Sequence, residues 1–204
     1  MDKATLPKAT VIVVIGLPGS GKSFFATQFA ASLDVALISE DKIRWMLFSH
    51  HTYDNNENTV VKQVSNMMIE ELFKTKKTFV LDGGYDERVT RQALNTQAKK
   101  AGYSLLTIVV QTDLPTAKQR SSKRSAKNPG DRYKQPLSNE MFEIRSKQYQ
   151  APVRVDQTVV VISGKHTYST QARIVLKKML EAQGTAPTEP RPAPIVRPRG
   201  PFIQ

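Results

Sequence analysis

The most informative stretch of this chain reads Gly16-Leu17-Pro18-Gly19-Ser20-Gly21-Lys22-Ser23. It follows the apolar run at 11–15 and precedes a helix-favouring segment at 24–32. The pattern G-x-x-x-x-G-K-[ST] in that strand–loop–helix context is typical of a phosphate-binding loop. An ordinary glycine-rich turn between a strand and a helix is the alternative. The complete pattern favours a nucleotide site over that turn.

Each residue type in the loop has a chemical reason. Glycines allow successive backbone N–H groups to curl around an anion, and the following helix adds its positive N-terminus. Lys22 is predicted to reach the β- and γ-phosphates and so to take part in catalysis, while Ser23 would offer its hydroxyl to Mg²⁺. We therefore expect ATP and Mg²⁺ as cofactors, with all eight loop residues binding the nucleotide.

Composition and charge limit the class of protein. The 204 residues predict one domain at 1–183 and a short appendage. There is no cysteine, which excludes disulfides, thiolate zinc sites and cysteine nucleophiles. No apolar run reaches membrane length and the N-terminus lacks a signal-peptide core, so we expect a soluble, cytoplasmic protein without a membrane partner. The net charge of +12 favours an anionic partner such as a nucleotide, a nucleic acid or a phosphosugar.

Five apolar runs alternate with helical patterns along the chain. The predicted strands lie at 10–15, 35–38, 78–82, 105–110 and 158–163. This alternation predicts an α/β three-layer fold with a five-stranded parallel sheet and helices on both faces, the P-loop NTPase architecture. The expected strand order is 2-3-1-4-5, which places the strand ending at Asp82 beside the P-loop strand.

Two acids follow predicted strands at the end of the sheet where the P-loop lies. Asp41 comes just after the second strand and Arg44 one helical turn later, so the carboxylate could accept a proton while the arginine holds an anionic group. Asp82 ends the third strand before two glycines, which suits an acid that faces Mg²⁺ or substrate. A helix-terminal acid with a surface arginine, and a turn acid, are the plain alternatives.

A strongly basic segment lies in the second half of the chain. Residues 115–134 carry seven Lys or Arg against the single Asp131. We predict a helix over 114–126 inside a lid over about 114–136, with Arg120 and Arg124 on one helix face. Such arginines stabilise charge on a transferring phosphoryl group, and a solvated basic surface is the alternative.

The chain after residue 183 has a different composition. Residues 184–204 hold six of the twelve prolines, which disfavours both helix and strand. We expect a disordered tail, and its Pro187-Thr188-Glu189-Pro190 run is a weak candidate for binding a protein partner.

Together these motifs resemble one family. The P-loop, Asp41-Lys-Ile-Arg44, Phe79-Val-Leu-Asp82 and Lys118-Gln-Arg120-Ser-Ser-Lys-Arg124 are similar to the polynucleotide-kinase and zeta-toxin-like group of small P-loop kinases. The resemblance covers about 10–165 and implies that Asp41 is the general base, that Arg44 contacts the acceptor's phosphate and that Arg124 is the lid arginine. Gly83-Gly84 stands where that group commonly has Thr-Asn, which leaves the substrate contacts open.

The sequence is best interpreted as an ATP-dependent phosphotransferase with a hydroxyl acceptor. A nucleic-acid 5′-hydroxyl and a small-molecule hydroxyl (metabolite, nucleotide-sugar or antibiotic) both remain open as acceptors. A nucleic-acid-binding module that uses the nucleotide only as a switch is a different class of protein. A Pro-tailed adaptor with an inactive kinase fold is a third, which the intact Lys22, Ser23 and Asp41 disfavour.

Overall fold

The computed structural model describes residues 8–128, 131–153 and 158–184, without the side chains of 182–184. The predicted proline-rich tail therefore lies, from residue 185 onward, outside the described residues and stays a prediction.

A five-stranded sheet forms the centre of the molecule. Its strands, all parallel, stand in the order β2-β3-β1-β4-β5, so the predicted topology is confirmed. Val14 of β1 is opposite Asp82 of β3, and Asp82 is in turn opposite Ser39 of β2. This register places Asp82 at the carboxyl end of the sheet, next to the loop that follows β1. The strands are β1 Thr10–Ile15, β2 Ala36–Ser39, β3 Phe79–Asp82, β4 Ser104–Gln111 and β5 Thr158–Ser163.

Seven helices connect or follow these strands in the described chain. Asp54, Asp113 and Ser138 each accept a hydrogen bond from a backbone N–H in the first turn of the next helix, which fixes three helix starts. The helices are α1 Lys22–Leu33, α2 Glu40–Leu47, α3 Asn55–Thr75, α4 Arg88–Lys100, α5 Leu114–Ser122, α6 Asn139–Gln148 and α7 Tyr168–Gly184.

Two apolar cores cover the two faces of the sheet. Phe25 and Phe29 of α1 and Val175 of α7 pack on one face. Ile69 of α3 and Leu94 of α4 belong to the core on the other face. Because β1 is buried on both faces, it reads as a continuous apolar run rather than an alternating one.

The predicted lid helix is too long. Helix α5 ends at Ser122, four residues before the expected end at Ala126. Arg120 is therefore on the helix whereas Arg124 is beyond it, and the prediction that both lie on one helix face is wrong. The chain turns at this point. The two guanidinium groups donate to different carbonyl oxygens, that of Gly164 for Arg120 and that of Gln135 for Arg124.

The apolar pattern of α3 predicts the wrong face of this helix. Val60, Val64, Met67, Met68 and Leu72 recur at 3–4 spacing, which predicts a buried stripe, yet Met67 and Met68 are 59% and 38% exposed. The buried positions of α3 are Glu57, Val61, Ser65 and Ile69. Polar residues occupy two of these four sites, so hydrophobicity alone does not identify the buried face. Strand β2 is apolar at 36–38, but it is the edge of the sheet and its Ala36 is exposed.

Candidate functional site

The loop between β1 and α1 has the backbone of an anion-binding nest. Gly16, Gly19 and Gly21 have φ of 145°, 78° and 104°, values that side-chain-bearing residues rarely adopt. A Cβ at Gly19 would lie 2.1 Å from the carbonyl oxygen of Ala117, and one at Gly16 2.5 Å from that of Val110. Glycine is thus needed here for both conformation and space. Helix α1 starts at Lys22, so its N-terminus points into the loop.

Lys22 is folded against its own loop. Its Nζ donates hydrogen bonds to the carbonyl oxygens of Gly16 and Leu17, the latter at 3.1 Å. Burial lowers the pKa of the Lys22 ammonium, against the opposing charge of Asp86. Asp86 is also tied to the loop, since its Oδ1 accepts a hydrogen bond from the Gly16 N–H at 3.3 Å. A phosphate group would offer this lysine a better partner than two neutral carbonyls.

A cavity of about 710 Å³ opens on one side of Lys22 and Ser23. It lies between α1 and the segment from α5 onward, and Phe24, Thr27 and Gln28 belong to its wall. Arg120 lines it too and donates to the Gly164 carbonyl oxygen at 3.0 Å. Its position beside the P-loop and its size suit a nucleotide.

A second cavity of about 470 Å³ opens on the other side of the same two residues. Residues from α2, α3, α6 and the loop after β3 surround it, including Asp41, Arg44 and Asp82. Four residues line both cavities: Lys22, Ser23, Arg124 and Lys134. The two cavities therefore meet at the Ser23 hydroxyl and the Lys22 ammonium. A chemical group could be transferred from one cavity to the other at this point.

Asp41 and Lys134 face each other at this junction. The Lys134 Nζ lies 3.8 Å from the Asp41 Oδ2 and donates a hydrogen bond to the Ser23 hydroxyl. Asp41 is in the first turn of α2, which follows the edge strand β2 directly. The predicted base thus stands next to the P-loop serine, as the sequence indicated, with a lysine between them that it did not single out.

Asp82 is buried at the end of β3, and its Oδ2 accepts a hydrogen bond from the Ser39 hydroxyl at 3.3 Å. Ser23, Asp41 and Asp82 line one recess, a set of hydroxyl and carboxylate oxygens. Within the described residues no group of three or more His, Cys, Asp or Glu could by itself hold a metal ion. The oxygens of Ser23, Asp41 and Asp82 fit Mg²⁺. This ion commonly takes one or two protein oxygens and completes its shell with phosphates and water.

Glu40 lies against the second of the two glycines that follow Asp82. A Cβ at Gly84 would lie 2.1 Å from the Glu40 Oε1, so this carboxyl group fills the space that a side chain at position 84 would need. Burial, and then the charge of Asp41, raise the pKa of Glu40 to about 7. Glu40 lines the second cavity and was not identified from the sequence.

Arg44 is a buried member of the second cavity. Its guanidinium pairs with the Glu57 carboxylate at 2.5 Å and donates to the Asn58 Oδ1 at 2.8 Å. Glu57 accepts further hydrogen bonds from Thr52 and Tyr53. Burial alone would raise the pKa of Glu57, but the hydrogen bonds from Arg44 and Thr52 lower it to about 2. Glu57 therefore stays ionised and neutralises Arg44.

Arg124 faces the junction from beyond the end of α5. It donates to the Gln135 carbonyl oxygen at 3.3 Å. Burial lowers its pKa, and the Asp41 carboxylate opposes that effect. The structure thus brings Arg124 to both cavities while Arg120 stays with the first.

Sequence reasoning missed several residues of this site: Glu40, Tyr53, Glu57, Asp86, Lys134 and Arg145. Each lies in a loop or a helix whose own pattern is unremarkable, and long-range packing brings it to the P-loop. One sequence signal was present for Glu57. It is an acid that stands three residues after Asp54, at the end of a turn-rich stretch.

Comparisons with known proteins agree with this geometry. A sequence model of the AAA domain family matches residues 11–146, more than half of the chain, so the protein belongs to that family. The matched range contains the P-loop at residues 16–23. A comparison with curated proteins returned no match.

Solved structures, several of them kinases, share the fold. Kti12 from Chaetomium thermophilum, in complex with ADP-AlF3, is 22% identical over 84% of this chain and 98% of its own, with a TM-score of 0.61. The APS kinase CysC from Mycobacterium tuberculosis, in complex with AMPPNP and APS, is 16% identical over 86% and 99%, at 0.60. A sugar kinase from Janibacter sp. HTCC2649 is 15% identical over 85% and 95%, at 0.59. The chain therefore has the fold of P-loop kinases.

In the described part of the chain no helix is long and apolar enough to cross a membrane.

Proposed function

We propose that this protein is an ATP-dependent kinase that transfers the γ-phosphoryl group of ATP to a hydroxyl acceptor. The observation that carries the proposal is the meeting of two cavities at Lys22, Ser23, Arg124 and Lys134. One cavity has the P-loop and suits the nucleotide. The other has Asp41, Asp82 and three arginines and suits an acceptor.

The nucleotide's phosphates would lie on the backbone N–H groups of residues 16–23, with Lys22 exchanging its two carbonyl contacts for phosphate oxygens. Ser23 and Asp82 would hold Mg²⁺, which when bound neutralises phosphate charge. Leu17 is part of the nucleotide cavity, and Pro18 stands on the acceptor side of the loop. Arg120 would contact the nucleotide from α5.

Asp41 would act as the general base. As the acceptor oxygen forms its bond to phosphorus, the carboxylate takes the hydroxyl proton, and ADP keeps the electrons of the broken P–O bond. Arg124 and Lys134 would face the three non-bridging oxygens of the phosphoryl group during transfer and stabilise their charge. Arg44, which the sequence resemblance assigns to the acceptor's phosphate, lines the second cavity with its charge already shared with Glu57.

The acceptor divides the kinase hypothesis into two. A polynucleotide-kinase-like enzyme would phosphorylate a nucleic-acid 5′-hydroxyl, and a small-molecule kinase would phosphorylate a metabolite, a nucleotide-sugar or an antibiotic. The second cavity, with about 470 Å³, has room for one small molecule or for the terminal nucleotide of a strand. We keep the kinase reaction as the proposal and leave the two acceptor types to the experiment.

The test is γ-labelled ATP with Mg²⁺ and a panel of acceptors: RNA and DNA with a 5′-hydroxyl, nucleosides, UDP-sugars, aminoglycosides and phenicols. We expect transfer to one class and none to the others. The matched control is Lys22→Ala, which should lose both the transfer and the thermal stabilisation by ATP while the protein without nucleotide stays folded. Lys42→Ala changes an exposed lysine of α2 and should keep both.

ATP binding without transfer to any member of the panel, unchanged in Asp41→Asn, would instead support a nucleotide-switched binding protein. An equal thermal shift by ATP in Lys22→Ala and in the parent would contradict the nucleotide site itself.

A further inference from the structure

The wall of the second cavity opposite the P-loop is built around one tyrosine. The guanidinium carbons of Arg44 and Arg145 lie 4.5 Å and 4.8 Å from the centroid of the Tyr53 ring. Tyr53 has a φ of 57°, a left-handed conformation that is uncommon for a bulky side chain. Glu57 holds it there by accepting from the Tyr53 N–H at 2.9 Å. The fold thus keeps a strained residue in place to present this ring.

The two arginines on the ring differ in their electrostatic state. Arg44 has its charge neutralised by Glu57, and its guanidinium also donates to Asn58. Arg145 has no carboxylate within ion-pair distance among the described residues. Arg124 is in the same state, since its hydrogen bond goes to the neutral carbonyl of Gln135. Two guanidinium groups without an ion-pair partner among the described residues therefore face one cavity.

Their proximity opposes stability in the empty protein. The charge of Arg145 acts on Arg124 in the direction that disfavours its charged form. Asp41 offsets part of this repulsion at Arg124, whereas three other carboxylates on the cavity wall have contacts of their own. Asp86 accepts from the Gly16 N–H, Asp82 from the Ser39 hydroxyl, and Glu40 lies against Gly84. An anion between the two guanidinium groups would remove the repulsion and gain charge-assisted hydrogen bonds.

Helix α6 is positioned to present Arg145 to a ligand. The positions of α6 that line the cavity are Met141, Ile144, Arg145 and Gln148, one face of the helix at 3–4 spacing. Met141 and Ile144 are 37% and 53% exposed, so an apolar surface stands beside the free charge. In addition the Nε of the buried Arg44 has no hydrogen-bond partner among the described residues. A ligand with one anionic group and an apolar or aromatic body matches this wall.

We propose that Arg145, together with Arg124, binds a phosphate or sulfate ester group of the acceptor, so that this kinase acts on alcohols that already carry such an anion. Arg44 is then a positioning residue that supports Tyr53, and Arg145 supplies the charge. This inference rests on the proposed kinase function, because it assigns the second cavity to the acceptor.

The direct test uses inorganic sulfate and needs no catalysis. The full chain is titrated with sodium sulfate at constant ionic strength, and ¹⁵N NMR follows the P-loop glycine amides separately from the Tyr53 amide and the Arg145 Nε–H. We expect both groups of signals to shift. Arg145→Gln should weaken the binding seen at Tyr53 by roughly tenfold or more and leave the shifts of Gly19 and Gly21 unchanged.

Two further variants sharpen the result. Lys147→Gln removes a charge from an exposed position of the same helix and should leave both sites unchanged. Arg145→Lys keeps a charge without the planar fork, so it should fold as the parent does and bind sulfate with intermediate affinity. Sulfate shifts confined to the P-loop, or equal affinity at Tyr53 in Arg145→Gln and the parent, would overturn the proposal.

Kinetics separate this proposal from the kinase function on which it rests. With a phosphorylated acceptor and its unphosphorylated counterpart, Arg145→Gln should lower kcat/KM for the first only, mainly through KM. Equal kcat/KM for the phosphorylated acceptor in Arg145→Gln and the parent would keep the kinase function and refute the anion site. Sulfate binding at Tyr53 without transfer to any acceptor would refute the kinase function and keep the anion site.

Discussion

Lys134 donates a hydrogen bond to the hydroxyl of Ser23, although 111 residues separate the two in the chain. The same ammonium lies 3.8 Å from the Asp41 Oδ2. A cation thus stands between the P-loop serine and the proposed base, at the point where the two cavities meet. This is where negative charge would develop on a transferring phosphoryl group, so we regard Lys134 as part of the transfer machinery.

Replacing Lys134 by methionine should lower turnover by about 10²-fold, since a preorganised cation at the developing charge contributes on that order. Nucleotide affinity should change much less, because Lys22 and the loop backbone provide most of the phosphate contacts. The measurements are kcat and the Kd for ATP. Lys99→Met, at an exposed position of α4, is the control and should keep parental turnover. Equal losses in the two variants would mean that net charge matters rather than the position of Lys134.

Asp41→Asn tests the proposed base. The replacement is nearly isosteric, so the fold and the nucleotide affinity should survive, while kcat falls by roughly 10²–10⁴, the usual size of general acid–base effects. Full kinetics on one confirmed acceptor give the answer. Asp82→Asn is the comparison variant. It should raise the Mg²⁺ concentration needed for half-maximal activity, because it removes a proposed Mg²⁺ ligand. If Asp41→Asn keeps near-parental kcat, Asp82 becomes the next candidate for the base.

Glu57→Gln should lower the free energy of unfolding at neutral pH by about 3 kcal/mol, because it leaves the buried guanidinium of Arg44 without its counter-charge. The pKa of Glu57 is about 2 in the folded protein against 4.5 ordinarily. Its stabilisation is therefore complete above pH 4.5 and disappears as the pH falls towards 2. Urea unfolding at several pH values measures both effects.

Glu71→Gln is the matched control on the same helix, since Glu71 pairs with Lys74 at the exposed surface. It should change stability little at any of these pH values. A Glu57→Gln protein as stable as the parent at pH 7 would contradict the assigned ion pair.

Glu40→Gln should stabilise the protein above pH 7. Burial and the charge of Asp41 raise the pKa of Glu40 from 4.5 to about 7, so the folded state holds a proton that the unfolded state releases. Stability from this group is therefore full below pH 4.5 and falls as the pH rises to about 7. The variant removes that decline, so thermal unfolding should show a small gain at pH 5.5 and a larger one at pH 8. A gain of the same size at both pH values would show that packing, not ionisation, is responsible.

Local chemistry explains which parts of this protein could be predicted from its sequence. The P-loop at 16–23 needs glycines for conformation, a lysine for charge and a serine for its hydroxyl, and these residues are contiguous. The order of strands and helices follows from apolar runs that also lie within single segments. The places of Asp41 and Asp82 could be predicted because Asp82 ends a strand and Asp41 comes two residues after one, and strand ends of a parallel sheet meet at one edge.

The remaining parts depended on contacts between distant segments. The face of α3 that is buried contains Glu57 and Ser65, and a pattern based on hydrophobicity selected Met67 and Met68 instead. Helix α5 ended at Ser122 rather than at Ala126, so Arg124 turned towards the junction and Arg120 did not.

The sequence by itself determined the P-loop, the parallel sheet and the two acids, because short-range backbone and side-chain preferences are sufficient for each. The tertiary structure alone decided which basic residues serve the site. Lys134 donates a hydrogen bond to Ser23, and Arg145 lies over the ring of Tyr53. Arg44 forms an ion pair with Glu57. For the basic residues of this site, spacing along the sequence does not show which ones find a carboxylate, because their partners lie on other segments. That distinction arises only when α3, α6 and the segment after α5 pack around one cavity.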